Sequence, residues 1–181
     1  MNKLVILAVL ASATFTLNAQ KYFTKTGTVK FTSTTTLEDI KAENRKVVSV
    51  LDSGTGALEF SMLMKGFDFP NDEMEKHFNE TYVESDKYPK ATFKGKITDM
   101  ANINFTKDGS YTVHYTGKLT IKDVTKDVSG TATFVIKGGK ITATSKMEVS
   151  PADYHIVIPN SAAANIAKVI TVDIIMDYKR K

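Results

Sequence analysis

The 181-residue sequence has no cysteine, no tryptophan and only four prolines. The missing cysteine excludes disulfide staples, thiol nucleophiles and thiolate metal sites, so stability must come from burial and backbone hydrogen bonding. The missing tryptophan and the lack of paired aromatic girdles argue against a barrel whose apolar face points into an outer membrane. Charge of one sign is also scarce, with 24 Lys and Arg against 20 Asp and Glu, a net +4. The lysines are scattered singly among threonines, and the basic cluster Lys179-Arg180-Lys181 stands at the terminus. A nucleic-acid footprint needs clustered Lys and Arg with stacking aromatics between them, so nucleic acid is excluded as a partner.

Long hydrophobic runs are equally few. The N-terminal MNKLVILAVLASATFTLNAQ carries Lys3, an apolar stretch from Leu4 to about Leu17, and small Ala19 before Gln20. This is the pattern of a secretory signal peptide cleaved after Ala19. The stretch falls short of the roughly 20 apolar residues that span a bilayer and is diluted by Ser12, Thr14 and Thr16. It offers no cysteine for a lipid anchor. The expected organisation is a leader at 1–19 and one mature domain at 20–181 in the periplasm or secreted. A domain of that length can carry its own core.

What the mature sequence has in abundance is alternation. Leu58, Phe60, Met62 and Met64 fall on one side of a segment, and Ala91, Phe93, Gly95 and Ile97 do so in the next. Tyr111, Val113, Tyr115, Gly117, Leu119 and Ile121 oppose threonines, lysines and His114. The theme continues through Val128, Gly130, Ala132, Phe134 and Ile136, then Ile141, Ala143, Ser145, Met147 and Val149. It ends with Ile170, Val172, Ile174 and Met176. Period two means strands with one buried and one wet face. It predicts strands over 58–64, 91–98, 111–122, 128–137, 140–149 and 168–177, with shorter ones near 27–33 and 46–51.

Gly- and Asp-containing connections at 52–56, 107–109, 122–127 and 137–140 read as hairpin turns. With no helical crossovers, the expectation is an all-β fold, an antiparallel up-and-down barrel of about eight strands. Its inward face alternates small residues with Met and aromatic side chains. Two readings stay open on composition: a packed core fitted to tight curvature, or a lumen lined by adaptable thioethers and rings that suits an apolar guest.

The alternation breaks once, at MEKHFNETYVESDKYPK. Asn71 or Asp72 can cap a helix, Asp72 and Glu73 suit its N-terminal end, and Met74, His77 and Phe78 share a face completed by Tyr82. Tyr88-Pro89 then holds the chain extended before Ala91. A short helix over 72–83 is expected to cap an open barrel end, just after Phe67-Asp68-Phe69-Pro70.

Several of these stretches resemble the YceI-like family of lipid- or polyisoprenoid-binding proteins. The resemblance rests on Asp52 with Thr55-Gly56 before the Leu58 and Phe60 strand, on Met74-x-x-His77-Phe78, and on Lys87-Tyr88-Pro89-x-Ala91-Thr92-Phe93. It extends to Gly117-Lys118-Leu119-Thr120-Ile121 with Val124-Thr125-Lys126-Asp127-Val128. The chain departs from the family in having Asp123 and Asp127 where Gly and Pro are frequent, and Gly27–Phe31 in place of a His-rich strand. The resemblance implies a lipocalin-like barrel enclosing a long isoprenoid, isoprenoid quinone or other lipid outside the cytoplasm, for carriage, storage or sensing. It implies no catalytic residues and no cofactor.

The candidate ligand-binding set follows from the inward face and the cap. It comprises Leu58, Phe60, Met62, Met64 and Phe67; Met74, His77 and Phe78 of the cap; Phe93, Tyr111, Val113 and Tyr115; and Phe134, Ile136, Met147, Val172, Ile174 and Met176. Expected partners are an apolar small molecule and, during loading, a transient membrane contact.

Enzyme chemistry has little to stand on. Glu73 and His77 make two metal ligands without a third, and no H-E-x-x-H or G-x-S-x-G occurs. Asp153, His155 and Ser150 are close only in sequence. Gly54-x-Gly56 is a turn, because no helix pattern follows. The sequons at Asn79 and Asn104 matter only in a glycosylating pathway. The alternative to a carrier is a filled-core barrel acting as an interaction or stress-related domain.

Overall fold

In the computed structural model, residues 20–180 are described, and the expected leader at 1–19 lies outside them. The strands are β1 (Lys21–Thr34), β2 (Asp39–Asp52), β3 (Ala57–Leu63), β4 (Phe67–Asp68), β5 (Lys90–Ile97), β6 (Gly109–Ile121), β7 (Val124–Lys137), β8 (Lys140–Val149) and β9 (Ile170–Arg180). All long strands pair antiparallel in the order β1-β9-β8-β7-β6-β5-β3-β2, and β1 returns to β2 to close the barrel. The two-residue β4 adds to β2 beyond the end of β3. The eight-stranded up-and-down barrel expected from the alternation is the observed fold.

Lysines and threonines cover the outside, and the apolar partners of each alternating pair point in. On β5, Ala91, Phe93 and Ile97 are buried while Lys90, Lys94 and Lys96 are exposed. This is the reverse of a barrel that presents its apolar face to lipid.

Beyond shifts of one to three residues at strand ends, as in β9, which runs Ile170–Arg180 where 168–177 was expected, three differences from the alternation stand out. The N-terminal strands are not short: β1 and β2 each run 14 residues. Their pairing shifts register between Thr24 and Gly27 and again between Gly27 and Val29. Tyr22 and Thr24 therefore face in before the first bulge, and Gly27 and Val29 after it. A bulge changes which parity is inward and conceals a long strand as two fragments. Gly27 sits where Met176 approaches so closely that a Cβ would lie 2.3 Å from its sulfur. The second difference is that β7 starts at Val124, so Lys122-Asp123 alone turn the hairpin. Lys118 pairs with Asp127 at 2.9 Å, and the Thr120 and Thr125 hydroxyls meet at 2.8 Å, extending the ladder into the expected turn. The third is Met64, which leaves the strand in a single 3-10 turn but stays buried.

The barrel has two unlike ends. One carries the short turns 53–56 and 138–139 and the segment 98–108, which folds inward. Phe105 stacks near Tyr22 at 6.2 Å and meets Phe134 edge-on at 6.0 Å, closing this end. Val113, Ile136, Leu51, Val47 and Ile141 fill the space above it, each 2% exposed or less. A polar pair is built into this core. The Ser49 hydroxyl proton goes to the Glu59 carbonyl at 2.9 Å, so the Tyr178 hydroxyl, 2.7 Å away, donates to Ser49 Oγ.

Burial pushes the Tyr178 phenol up to about 12. The unfolded phenol ionises near 10, so between these values the unfolded chain has lost a proton that the native state keeps, and stability falls as pH rises. Chemical denaturation should show no contribution from this group below about pH 10 and a loss of about 2 to 3 kcal/mol by about pH 12. In Tyr178→Phe that alkaline loss should disappear; an unchanged slope would refute the assignment.

Candidate apolar binding site

The other end of the barrel receives the two long connections, 64–89 and 150–169, together with the β1–β2 turn. The first contains the cap. Asn71 starts it, its Oδ1 accepting the Glu73 and Met74 backbone N–H groups at 2.8 and 3.3 Å. The α-helix α1 covers Asp72–His77 and passes into a wider π-turn over Phe78–Tyr82. Two geometries thus share the single helix predicted for 72–83. Phe78 packs with Phe31, Phe67 and Phe69 at centroid separations of 5.6, 5.6 and 5.0 Å. These contacts pin the cap to β1 and β4.

The cap ends in a latch. Lys122, in the β6–β7 hairpin, bonds to Glu84 and lies 5.5 Å from the Tyr88 ring centroid. Its side chain is 9% exposed. The Lys122 ammonium holds the Glu84 carboxyl below the usual carboxylate range. Both residues have the left-handed backbone, φ 54° and 50°. Lys87 approaches the Tyr88 ring at 4.8 Å, and Pro89 O accepts the Met64 N–H at 2.9 Å. The Lys-Tyr-Pro element singled out in the sequence is therefore the fastening of the cap. Lys122→Met should loosen 78–88, read as faster amide hydrogen exchange there with the β6–β7 ladder unaffected.

Beneath the cap lies a cavity of about 380 Å³, within the range typical of small-molecule sites. Its lining gathers Phe60, Met62, Met64, Phe67, Met74, His77, Phe78, Met147, Val172 and Ile174 from the candidate set. Leu58, Phe93, Tyr115, Phe134 and Met176 instead surround a small void of about 40 Å³ below, which also touches Phe60, Met147 and Ile174. Tyr111, Val113 and Ile136 border neither: the last two fill the closed end, and the Tyr111 hydroxyl donates to Lys107 O at 3.0 Å.

An aromatic floor separates the two spaces. Phe93 stacks on Phe60 at 5.0 Å and 12° and meets Tyr115 edge-on at 5.8 Å. It lies across Gly95 and Gly117, where an added Cβ would stand 2.5 Å from its ring in each case. The absent side chains on two neighbouring strands are what let the ring lie flat.

Much of the mouth was not singled out from the sequence. The 150–169 connection contributes Ile156, Ile158, Asn165 and Ile166, and the N-terminal strands contribute Val29, Phe31, Ser33 and Ile40. This connection has no strand ladder of its own over most of its length. It is held by Ala167 N–H donating to Ser33 Oγ at 2.8 Å and by Asn165 Nδ2 donating to Glu38 Oε2 at 2.8 Å. The isoleucines at 156, 158 and 166 were the available signal, since apolar residues in an aperiodic segment need a surface to cover.

The remaining histidines lie elsewhere. His114 is outside the barrel and bonds Asp99 at 2.9 Å, which holds that carboxyl below its usual range. His155 is exposed and left-handed at φ 53°. Glu73 and His77 share α1, and among the described residues no group of three or more potential ligands could hold a metal.

A cavity of this kind, capped and floored inside a closed eight-stranded meander, can be compared with known proteins. The family profile described as "YceI-like domain" matches residues 7–178. The chain belongs to the YceI-like family. Among solved structures, this YceI-like chain is similar to a polyisoprenoid-binding domain from Saccharophagus degradans implicated in plant cell wall breakdown. That match has 14% identity and a TM-score of 0.77, covering 90% of this chain and 99% of the other. Burkholderia cenocepacia BcnA matches at 17% identity and TM-score 0.68, over 84% and 96%. A Campylobacter jejuni YceI protein matches at 17% and 0.55, over 77% and 84%. No curated protein sequence matches the chain.

Proposed function

We propose that this protein is an extracytoplasmic carrier that encloses the hydrocarbon chain of a polyisoprenoid or similar lipid in the cavity under the cap. The observation that carries this reading is the single-ended apolar cavity of about 380 Å³ inside a barrel whose other end is sealed. Its walls are aliphatic, thioether and aromatic side chains, which release water on meeting a hydrocarbon. Membership of the YceI-like family, together with a fold shared with a polyisoprenoid-binding domain, supports it. No catalytic role is proposed, because the lining holds one carboxylate, Glu38, and one imidazole, His77, on different elements.

Mass spectrometry of an organic extract from natively purified protein tests the reading. A long-chain lipid at near-stoichiometric amount is expected, and a lipid-free protein that also fails to take up isoprenoids would overturn it. Export predicts a mature chain beginning at Gln20; intact mass from the native cell, still containing residues 1–19, would refute that.

Loading gives the rim a role. Leu37, Leu63, Val157 and Val169, 68, 54, 77 and 50% exposed, all lie at the mouth end. They suit a transient touch on a bilayer, from which a lipid could pass without crossing water. Leu37→Glu with Val157→Glu should slow uptake from vesicles several-fold while equilibrium affinity for detergent-delivered lipid stays the same.

A further inference from the structure

The cavity's polar groups are few and gathered unevenly. Besides His77 and the Tyr82 phenol on the cap, they are Ser33, Glu38, Ser161 and Asn165. Three of these form one corner between the β1–β2 turn and the 150–169 connection, where Asn165 bonds Glu38 and Ala167 bonds Ser33. Lys and Arg are absent from the described lining, so the fixed charge facing the cavity is the Glu38 carboxylate. Lys122 of the β6–β7 hairpin is already engaged by Glu84 and the Tyr82 carbonyl, and neither it nor Lys168, which follows Ala167, lines the cavity.

Ser33 adds a second observation. It is 2% exposed, its Oγ accepts the Ala167 N–H at 2.8 Å, and among the described residues its own proton has no acceptor. A buried hydroxyl proton calls for an oxygen to receive it. An anionic head placed here would meet a carboxylate with no Lys or Arg among the residues lining the cavity, an arrangement that is disfavoured out of water.

We infer that the guest's head is uncharged and oxygen-bearing, a hydroxyl or carbonyl received by Ser33 at this corner, and that the site rejects phosphate- or carboxylate-headed lipids of the same chain. This rests on the carrier reading above and narrows it. Glu38 supplies the discrimination and Ser33 the hydrogen bond.

The test uses delipidated mature protein loaded with 1-N-phenylnaphthylamine, a fluorescent apolar probe, and displacement by farnesol or farnesyl phosphate. Farnesol should compete at least about tenfold better. Ser33→Ala should weaken farnesol about fivefold while probe uptake is retained. Glu38→Lys should raise the competition by farnesyl phosphate at least about tenfold. Equal or better displacement of the wild type by farnesyl phosphate would overturn the inference about the head and leave the carrier reading standing. Failure of the probe and of both isoprenoids to bind any variant would instead overturn the carrier reading itself. Should Ser33→Ala fail to fold, the Glu38→Lys comparison still decides the matter.

Discussion

Phe93→Ala should lower the unfolding free energy by about 3–5 kcal/mol, the range for deleting a buried aromatic ring. The ring is 2% exposed, stacked on Phe60, edge-on to Tyr115, and seated over Gly95 and Gly117. The glycines cannot collapse into the space left behind, since the main chain around them is already tight. A Cβ on Gly95 would come within 2.3 Å of Thr116 O. The loss should thus sit at the upper end of the range, measured by urea denaturation at neutral pH. A loss below about 1 kcal/mol would mean that the floor is not a packed layer.

The converse is expected one layer higher. Val172→Phe places a ring in the cavity of about 380 Å³, where Val172 is half-buried and lines the wall beside Met147 on the neighbouring strand. Overpacking a full core costs about 1–3 kcal/mol, whereas here the ring enters empty space and the melting temperature should hardly move. Affinity for a long isoprenoid should fall by at least about tenfold, because ring and chain compete for one volume. A marked fall in stability without ligand would assign this region to the packed core and favour the filled-barrel alternative.

These opposite expectations resolve a choice that the residue pattern left open. Alternation placed Phe93, Val113, Phe134, Met62 and Val172 on one inward face, and a period-two pattern carries no information about height along the barrel axis. Packed core and open lumen are both present, stacked one above the other. Height is set by register, and register in β1 and β2 is altered by bulges that the parity of their apolar residues conceals. The cap was legible because Asn71, Met74 and Phe78 combine capping chemistry with helical spacing. The 150–169 wall was not, since no periodicity marks it and its placement depends on two hydrogen bonds to residues more than a hundred positions away. The corner formed by Ser33 and Glu38 escaped notice for the same reason: two ordinary polar residues near a turn gain meaning only from what is brought against them.

The seam between β1 and β9 bears on how the molecule comes into being. Every other seam joins long strands that follow one another along the chain, whereas this one joins the first described strand to the last, from Tyr22 with Arg180 to Thr32 with Thr171. Ring closure over that span carries the largest entropic penalty in the ladder. It cannot begin before β9 has been synthesised. Until β9 arrives β1 and β8 each lack a partner along one edge, and loss of β9 should leave a species primed to pair with its neighbours.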